Sequence, residues 1–278
     1  MAETATSAPT IEFPSTPEIL IELKEAKSDL DAIGKAIIGH KDLAKEVLDT
    51  INAPYFALVR QIKSVDEAVR MLGMNRIINL TTGRLLRTTV FSGKNKLLSD
   101  LWKTSIKVAV TSVLVSKELD KAATDESYTT AVFHNAGMAL LSQVNPDYTK
   151  AIKAAYFEED SNISDYEISH FSYSHAALGS QLASNWGLSG SMSKCIALHH
   201  DPIKTIASID KGDDAGELLL VLKISEQISR LPGYLAQCVD NHEWQKIKEP
   251  IFDELKMTEG MFRRFEAGIK KKIAEIKS

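Results

Sequence analysis

The sequence predicts an all-α fold, on three observations. Apolar residues recur at helical spacing along nearly the whole chain. Capping residues stand before those runs, and glycines or prolines close several of them. No stretch alternates for long, and the Asn-Gly and Asp-Gly hairpin signals are absent. The 278 residues are 44% hydrophobic but only 7% aromatic, so Leu, Ile, Ala and Val must build most of the core.

Taken in order, MAETATSAPT has neither a basic nor an apolar signal-peptide region and reads as part of a disordered lead-in over 1–12. Pro17 follows Thr16 at a favoured helix start, and Ile19, Leu20 and Leu23 form the first stripe. Ser28 with Asp31 resembles a capping box ahead of Ile33, Ile37 and Ile38. Leu43, Val47, Leu48 and Ile51 mark a third helix, which Asn52-Ala53-Pro54 stops because the residue before proline avoids the α region. Ser64 caps DEAVRML and Gly73 ends it. Residues 75–91 continue as a helix.

Leu97 to Leu119 reads as one helix of about six turns at 3.6 residues each. Residues 127–143 read as another, 147–157 as a shorter one, and Ser164 with Glu167 matches a second capping box. Helices near 173–185, 189–199, 214–230, 241–256 and 259–276 complete the set, with Thr258 as a cap. GLSGS at 187–191 reads as a helix–helix turn, and Asp210-Lys211-Gly212-Asp213-Asp214 as a polar loop. Leu43, Leu48, Leu72, Trp102, Leu140 and Trp186 are expected in the core.

Several function classes drop out. A net charge of −4 and a pI near 6.0 give no whole-chain case for nucleic-acid binding. No window reaches the roughly 18 apolar residues of a membrane span, so a soluble, cytoplasmic protein is expected. Cys195 and Cys238 sit in apolar contexts without a CxxC and read as buried thiols. There is no GxxxxGK[ST], GxGxxG or GxSxG. From Arg60 to Lys107 ten Lys/Arg stand against three Asp/Glu. Solvated helix faces explain that excess most simply. Arg76, Arg84 and Arg87 are the choice within it for an exposed partner contact.

Three stretches carry histidines: FHNAG at 133–137, HFSYSHAALG at 170–179 and ALHHDP at 197–202. As metal ligands they read poorly. His199 and His200 are adjacent and point about 100° apart on a helix, so one of them is expected to face outward. His170 and His175 straddle a helix boundary. No carboxylate lies beside His134; its neighbour is Asn135, and Asp201 lies outside the apolar run. A unit-charge pair at about 4 Å is worth about 4 kcal/mol at an effective dielectric of about 20, and an amide offers only a dipole. His134 and Asn135 are therefore expected to hydrogen-bond within a helix bundle, with no metal and no cofactor.

The ordered set FPSTPEIL (13–20), LAKEVLDTINAPYF (43–56), IKSVDEAVRMLGMNRIINL (62–80), LWKTSIKVAV, AVFHNAGMALL, HAALGSQLASNWGLS and CIALHHDP resembles the HDOD family, the HD-related output domains of bacterial signalling proteins. The resemblance spans about residues 13–230. It implies a helical subdomain over 13–95 packed on an HD-phosphohydrolase-like core over 96–230, with C-terminal helices over 231–278 packed on that core. Catalytic relatives carry a first His where this chain has Thr104, a His-Asp pair at His134-Asn135, and a later Asp for which Glu226 is the nearest acidic residue. The resemblance thus implies a degenerate site in which only His134 is retained. His175 and His199 or His200 fall where some relatives use extra histidines, here without the full ligand set, which suits a structural role; with Asp201 they stand as additional cleft residues.

The expectation is a non-catalytic regulatory module that meets a protein partner in a signalling pathway. A residual metal-dependent phosphohydrolase acting on nucleotides or cyclic dinucleotides is the alternative, and a nucleotide-sensing domain without hydrolysis is the third reading.

Overall fold

Side-chain caps set most of the helix starts. In the structure, a computed structural model describing residues 10–26, 29–56, 58–92, 95–157, 162–211, 213–231 and 241–277, every described regular element is a helix. The chain opens with α1 (Glu18–Glu25), α2 (Leu30–Gly39) and α3 (Lys41–Ile51). Asp29, not Ser28, caps α2, accepting from Asp31 N and Ala32 N at 3.0 Å; Ser28 lies outside the described residues. Beyond α3, Asn52 does more than stop a helix. Its amide donates to Leu48 O and Ile62 O and accepts from Ile62 N, stitching the loop back onto the helix end.

Ser64 caps α4 (Val65–Leu72) through Glu67 N at 3.1 Å, and Gly73 turns the chain at φ 81°, a value that suits glycine. Then come α5 (Met74–Thr89) and the 24-residue α6 (Lys96–Leu119), with Asn95 as cap. The apolar stripe read at 97–119 is this helix.

The helix expected over 127–143 is two: α7 (Thr124–Phe133) and α8 (Ala136–Val144). They part at His134-Asn135, where Asn135 leaves helical geometry at φ −103°, ψ 12°. Apolar periodicity runs through the break because both helices are buried on nearly every side. α9 (Tyr148–Phe157) and α10 (Ile163–Phe171) follow. Asn162 caps α10 in place of Ser164, which falls inside the helix. Ser174 and Ser189 cap α11 (His175–Asn185) and α12 (Gly190–Leu198), and Gly187 makes the expected turn between them at φ 76°.

α13 (Pro202–Lys211) was not legible as a helix, and it takes in Asp210 and Lys211 from the expected polar loop. Asp213 caps α14 (Asp214–Ser229). α15 (His242–Leu255) and α16 (Glu259–Lys277) close the chain, with Thr258 accepting from Met261 N at 3.3 Å as expected of a cap.

α14 lies at the centre, packed on α6, α7, α12 and α13, while α8 packs on α11 and α16 returns to α6. The α8–α11 crossing is backbone on backbone: a Cβ on Gly137 would stand 2.0 Å from His175 O. Leu140, Trp186 and Cys195 are buried as expected, whereas Leu43, Leu48, Leu72 and Trp102 are only half-buried at the edge of the core. Cys238 lies outside the described residues. Among the described residues no helix is long and apolar enough to cross a membrane.

Candidate functional site

Helix ends deliver the histidines to one place. His134 follows the last turn of α7, His175 opens α11, and His199 and His200 follow α12, while the middle of α14 presents Lys223 and Glu226. Helix ends leave backbone carbonyls free of intrahelical partners, and the rings use them. His134 Nδ1 donates to Ala131 O at 2.6 Å and His199 Nδ1 to Ile196 O at 2.7 Å. His175 Nδ1 is held by both oxygens of Glu167 at 2.7 and 2.8 Å, and His200 Nδ1 by Glu243 Oε2 at 2.7 Å.

A carbonyl or carboxylate oxygen only accepts, so each Nδ1 carries the hydrogen. In a neutral ring, Nε2 is then a lone pair. The four rings stand close together. His175 Nε2 and His199 Nε2 are 3.4 Å apart, and one ring nitrogen from each of His175, His199 and His200 falls within 4.8 Å of the others. The His134 ring meets that of His199 edge-on, with centroids 5.4 Å apart. Neither His134 Nε2 nor His200 Nε2 has a hydrogen-bond partner among the described residues.

Around the rings lies a network of buried charges. Lys223 Nζ donates to His199 O and Glu243 Oε1, each at 2.8 Å, and pairs with Glu226. Burial works against the Lys223 charge, but Glu226 and Glu243 beside it hold the ammonium above its usual range. Burial also raises the Glu226 carboxyl, against the pull of Lys223. Burial pushes Glu243 the same way, yet Lys223 and His200 bring it down to about 2. Burial depresses His134 to about 3 and His199 well below its ordinary value.

The sequence-derived positions divide sharply. His134, His175, His199, His200 and Glu226 converge. Both His199 and His200 are buried, so the expectation that one faces outward is wrong: they lie past the end of α12, where helical spacing no longer sets their directions. Thr104 stays apart, its hydroxyl bonded to Asp100 O and Leu101 O of its own helix. Asn135 is buried beside His134 but, against expectation, neither polar atom of its amide has a hydrogen-bond partner among the described residues. Asp201 turns away to Lys204.

The arginine stretch is mostly not a free contact face. Arg76 pairs with Asp125 at 3.2 Å and Arg84 with Glu46 at 2.7 Å, and only Arg87 is exposed, over the Trp102 ring at 5.8 Å.

Glu167, Lys223 and Glu243 were missed as site residues. Lys223 has a signal in retrospect, a lone charge inside LLLVLKISEQI. Glu167 stood out only as a capping partner, and nothing local marks Glu243.

The donor set can be tested against a metal of the HD type. At Thr104, His134, Asn135 and Glu226 it does not fit: Thr104 faces its own helix, Asn135 brings no charge, and the Lys223 ammonium already sits on Glu226. The ring nitrogens of His175, His199 and His200 do offer a cation three unspent donors.

A family model described as "HDOD domain" matches residues 13–202. An uncharacterised protein of Treponema pallidum (strain Nichols) is 24% identical over 201 residues, which are 68% of this chain and 38% of that longer protein. Among solved structures, an HDOD domain protein of unknown function from Geobacter sulfurreducens superposes with a TM-score of 0.66 at 21% identity, covering 95% of this chain and 91% of that one. A Shewanella amazonensis SB2B protein, named provisionally as a phosphohydrolase, gives 0.63 at 19% identity, covering 96% and 93%. A Marinobacter aquaeolei VT8 protein, named provisionally for signal transduction, gives 0.62 at 17% identity, covering 98% and 62%. At these identities the likeness is one of fold.

Proposed function

Since the chain belongs to the HDOD domain family, whose fold is related to that of HD phosphohydrolases, we propose that it is a regulatory module of signal transduction that meets a protein partner and hydrolyses nothing. Residues 13–95 would form a helical subdomain seated on a core of 96–230. One observation carries the reading: the histidine site is sealed. His134, Asn135, His175 and His199 are 0% exposed and His200 1%. A hydrolytic centre needs an open position for water and substrate. The replacement of a carboxylate by Asn135 and the ammonium of Lys223 on Glu226 point the same way.

The test is a hydrolysis assay on the full chain, with bis(p-nitrophenyl) phosphate, nucleotides and cyclic dinucleotides, in the presence of Mg, Mn, Fe, Ni or Zn. The expected rate is that of the metal alone. Turnover that disappears in His134→Ala would overturn the proposal and favour the phosphohydrolase alternative.

A second reading, nucleotide sensing without hydrolysis, draws support from a cleft of about 770 Å³ lined by Tyr55, Arg84, Arg87, Trp102 and Tyr128 among others. Its volume falls within the range of small-molecule sites, and it offers both cations and rings. Saturable nucleotide binding that is lost in Arg87→Ala would favour this reading.

A further inference from the structure

We propose that His175, His199 and His200 bind a single transition-metal ion, with Glu167 and Glu243 aiming two of its three ligands. This goes beyond the regulatory reading and does not depend on it.

The argument begins with hydrogens. With Nδ1 committed as a donor in all three rings, His175 Nε2 and His199 Nε2 face each other at 3.4 Å as two lone pairs. No hydrogen bond joins two acceptors. Two nitrogen ligands of a tetrahedral ion with bonds of about 2.1 Å, however, stand about 3.4 Å apart. His200 Nε2 is buried and has no hydrogen-bond partner among the described residues. One ring nitrogen from each of the three residues lies within 4.8 Å of the others, so closing to the roughly 3.4 Å of a tetrahedral ion changes a separation by at most about 1.4 Å.

The surroundings match a ligand set. Metal-bound imidazoles ordinarily donate their other N–H to a carboxylate or a backbone carbonyl, which fixes tautomer and ring direction. Here Glu167 does this for His175, Ile196 O for His199 and Glu243 for His200. Glu167 is itself steadied by Tyr148 and Glu243 by Lys223. Glu167, Glu226 and Glu243 outnumber the Lys223 ammonium, so the pocket accepts added positive charge. Three imidazoles with no carboxylate in direct contact favour Zn, Co, Ni, Cu or Fe over Mg or Ca. His134 stands beside this group, its ring edge-on to that of His199 and its Nε2 3.7 Å from Glu226 Oε1.

The experiment uses the untagged full chain freed of metal. Co²⁺, Zn²⁺ and Mg²⁺ are titrated by calorimetry, and cobalt by visible absorption as well. One equivalent of Co²⁺ or Zn²⁺ should bind, cobalt giving the intense bands of a low-coordinate nitrogen site, with no Mg²⁺ uptake over the same range. His175→Gln and His199→Gln should abolish binding. Glu243→Gln should weaken it by about 10–100-fold, and His170→Gln, at an exposed histidine outside the cluster, should leave it unchanged. Should a ligand variant fail to fold, proton NMR of the cobalt protein decides instead: at least three strongly shifted, exchangeable Nδ1–H signals are expected. No uptake by the folded chain, binding undiminished in both ligand variants, or fewer than three such signals would overturn the proposal.

Discussion

Glu243 accepts the Nδ1 hydrogen of His200 at 2.7 Å with one oxygen and a hydrogen bond from Lys223 at 2.8 Å with the other. One carboxylate thus fastens α15 to the end of α12 and to the middle of α14. Lys223 is the shared cation of Glu226 and Glu243, and removing one member of a buried charge network costs more than the network contributes as a whole. Lys223→Met should destabilise the chain by about 3–5 kcal/mol. Adding Glu226→Gln should recover part of that loss, because one of the two abandoned carboxylates is then neutral. Urea unfolding of the parent, single and double variants checks both statements, and a neutral single variant would refute the shared role.

Gly137 offers a sharper structural test. Its missing Cβ is what lets α8 lie on the first residue of α11, since a methyl there would meet His175 O at 2.0 Å. Backbone cannot step aside as a side-chain tip can. Gly137→Ala should cost about 3 kcal/mol or more, at or beyond the upper end of usual overpacking. Gly190→Ala, whose Cβ would meet nothing within 4 Å, should leave the melting temperature nearly unchanged. Equal effects at the two positions would contradict the close crossing.

The same crossing shows what could be read from residues in order and what could not. Helices with one apolar stripe, such as α4 after Ser64 and α6 after Asn95, follow from local spacing and caps. The α7–α8 break did not, because burial on all sides erases the stripe that would have marked it. The histidine convergence was misread for a related reason. Helical spacing predicts directions only within a helix, and His134, His199 and His200 all lie just past helix ends. Glu167 and Glu243, at 8 and 43 residues from the rings they hold, are joined to them by tertiary packing alone.

Acid should destabilise the fold through histidines buried without a proton. His134 is depressed to about 3 and His199 is also well below its usual value, both chiefly by burial. An unfolded histidine takes up its proton near pH 6.5, so below that pH the unfolded chain binds more protons and stability falls. The contribution is complete above pH 6.5 and lost toward pH 3. Each such group adds a slope of about 1.4 kcal/mol per pH unit. Urea midpoints between pH 4.5 and 7 should therefore fall on acidification, and His134→Gln should reduce the slope by about one proton. An unchanged slope would mean that the folded chain protonates His134 readily.

The arginines separate folding from contact. Arg84 is largely buried, with a side chain 13% exposed, and pairs with Glu46 at 2.7 Å. Arg84→Glu would set two carboxylates together and forfeit a charged hydrogen bond, a loss of about 2 kcal/mol. Exchanging the charges, with Glu46→Arg added, should restore most of it. Arg87 is exposed and engages only the face of Trp102 among its described contacts. Arg87→Glu should change stability by about 0.5 kcal/mol or less. If this face meets an acidic partner, that single reversal should weaken binding while the melting curve stays in place. Thermal melts of the three variants test the structural half. Partner binding by Arg87→Glu at undiminished strength would move the contact region elsewhere on the chain.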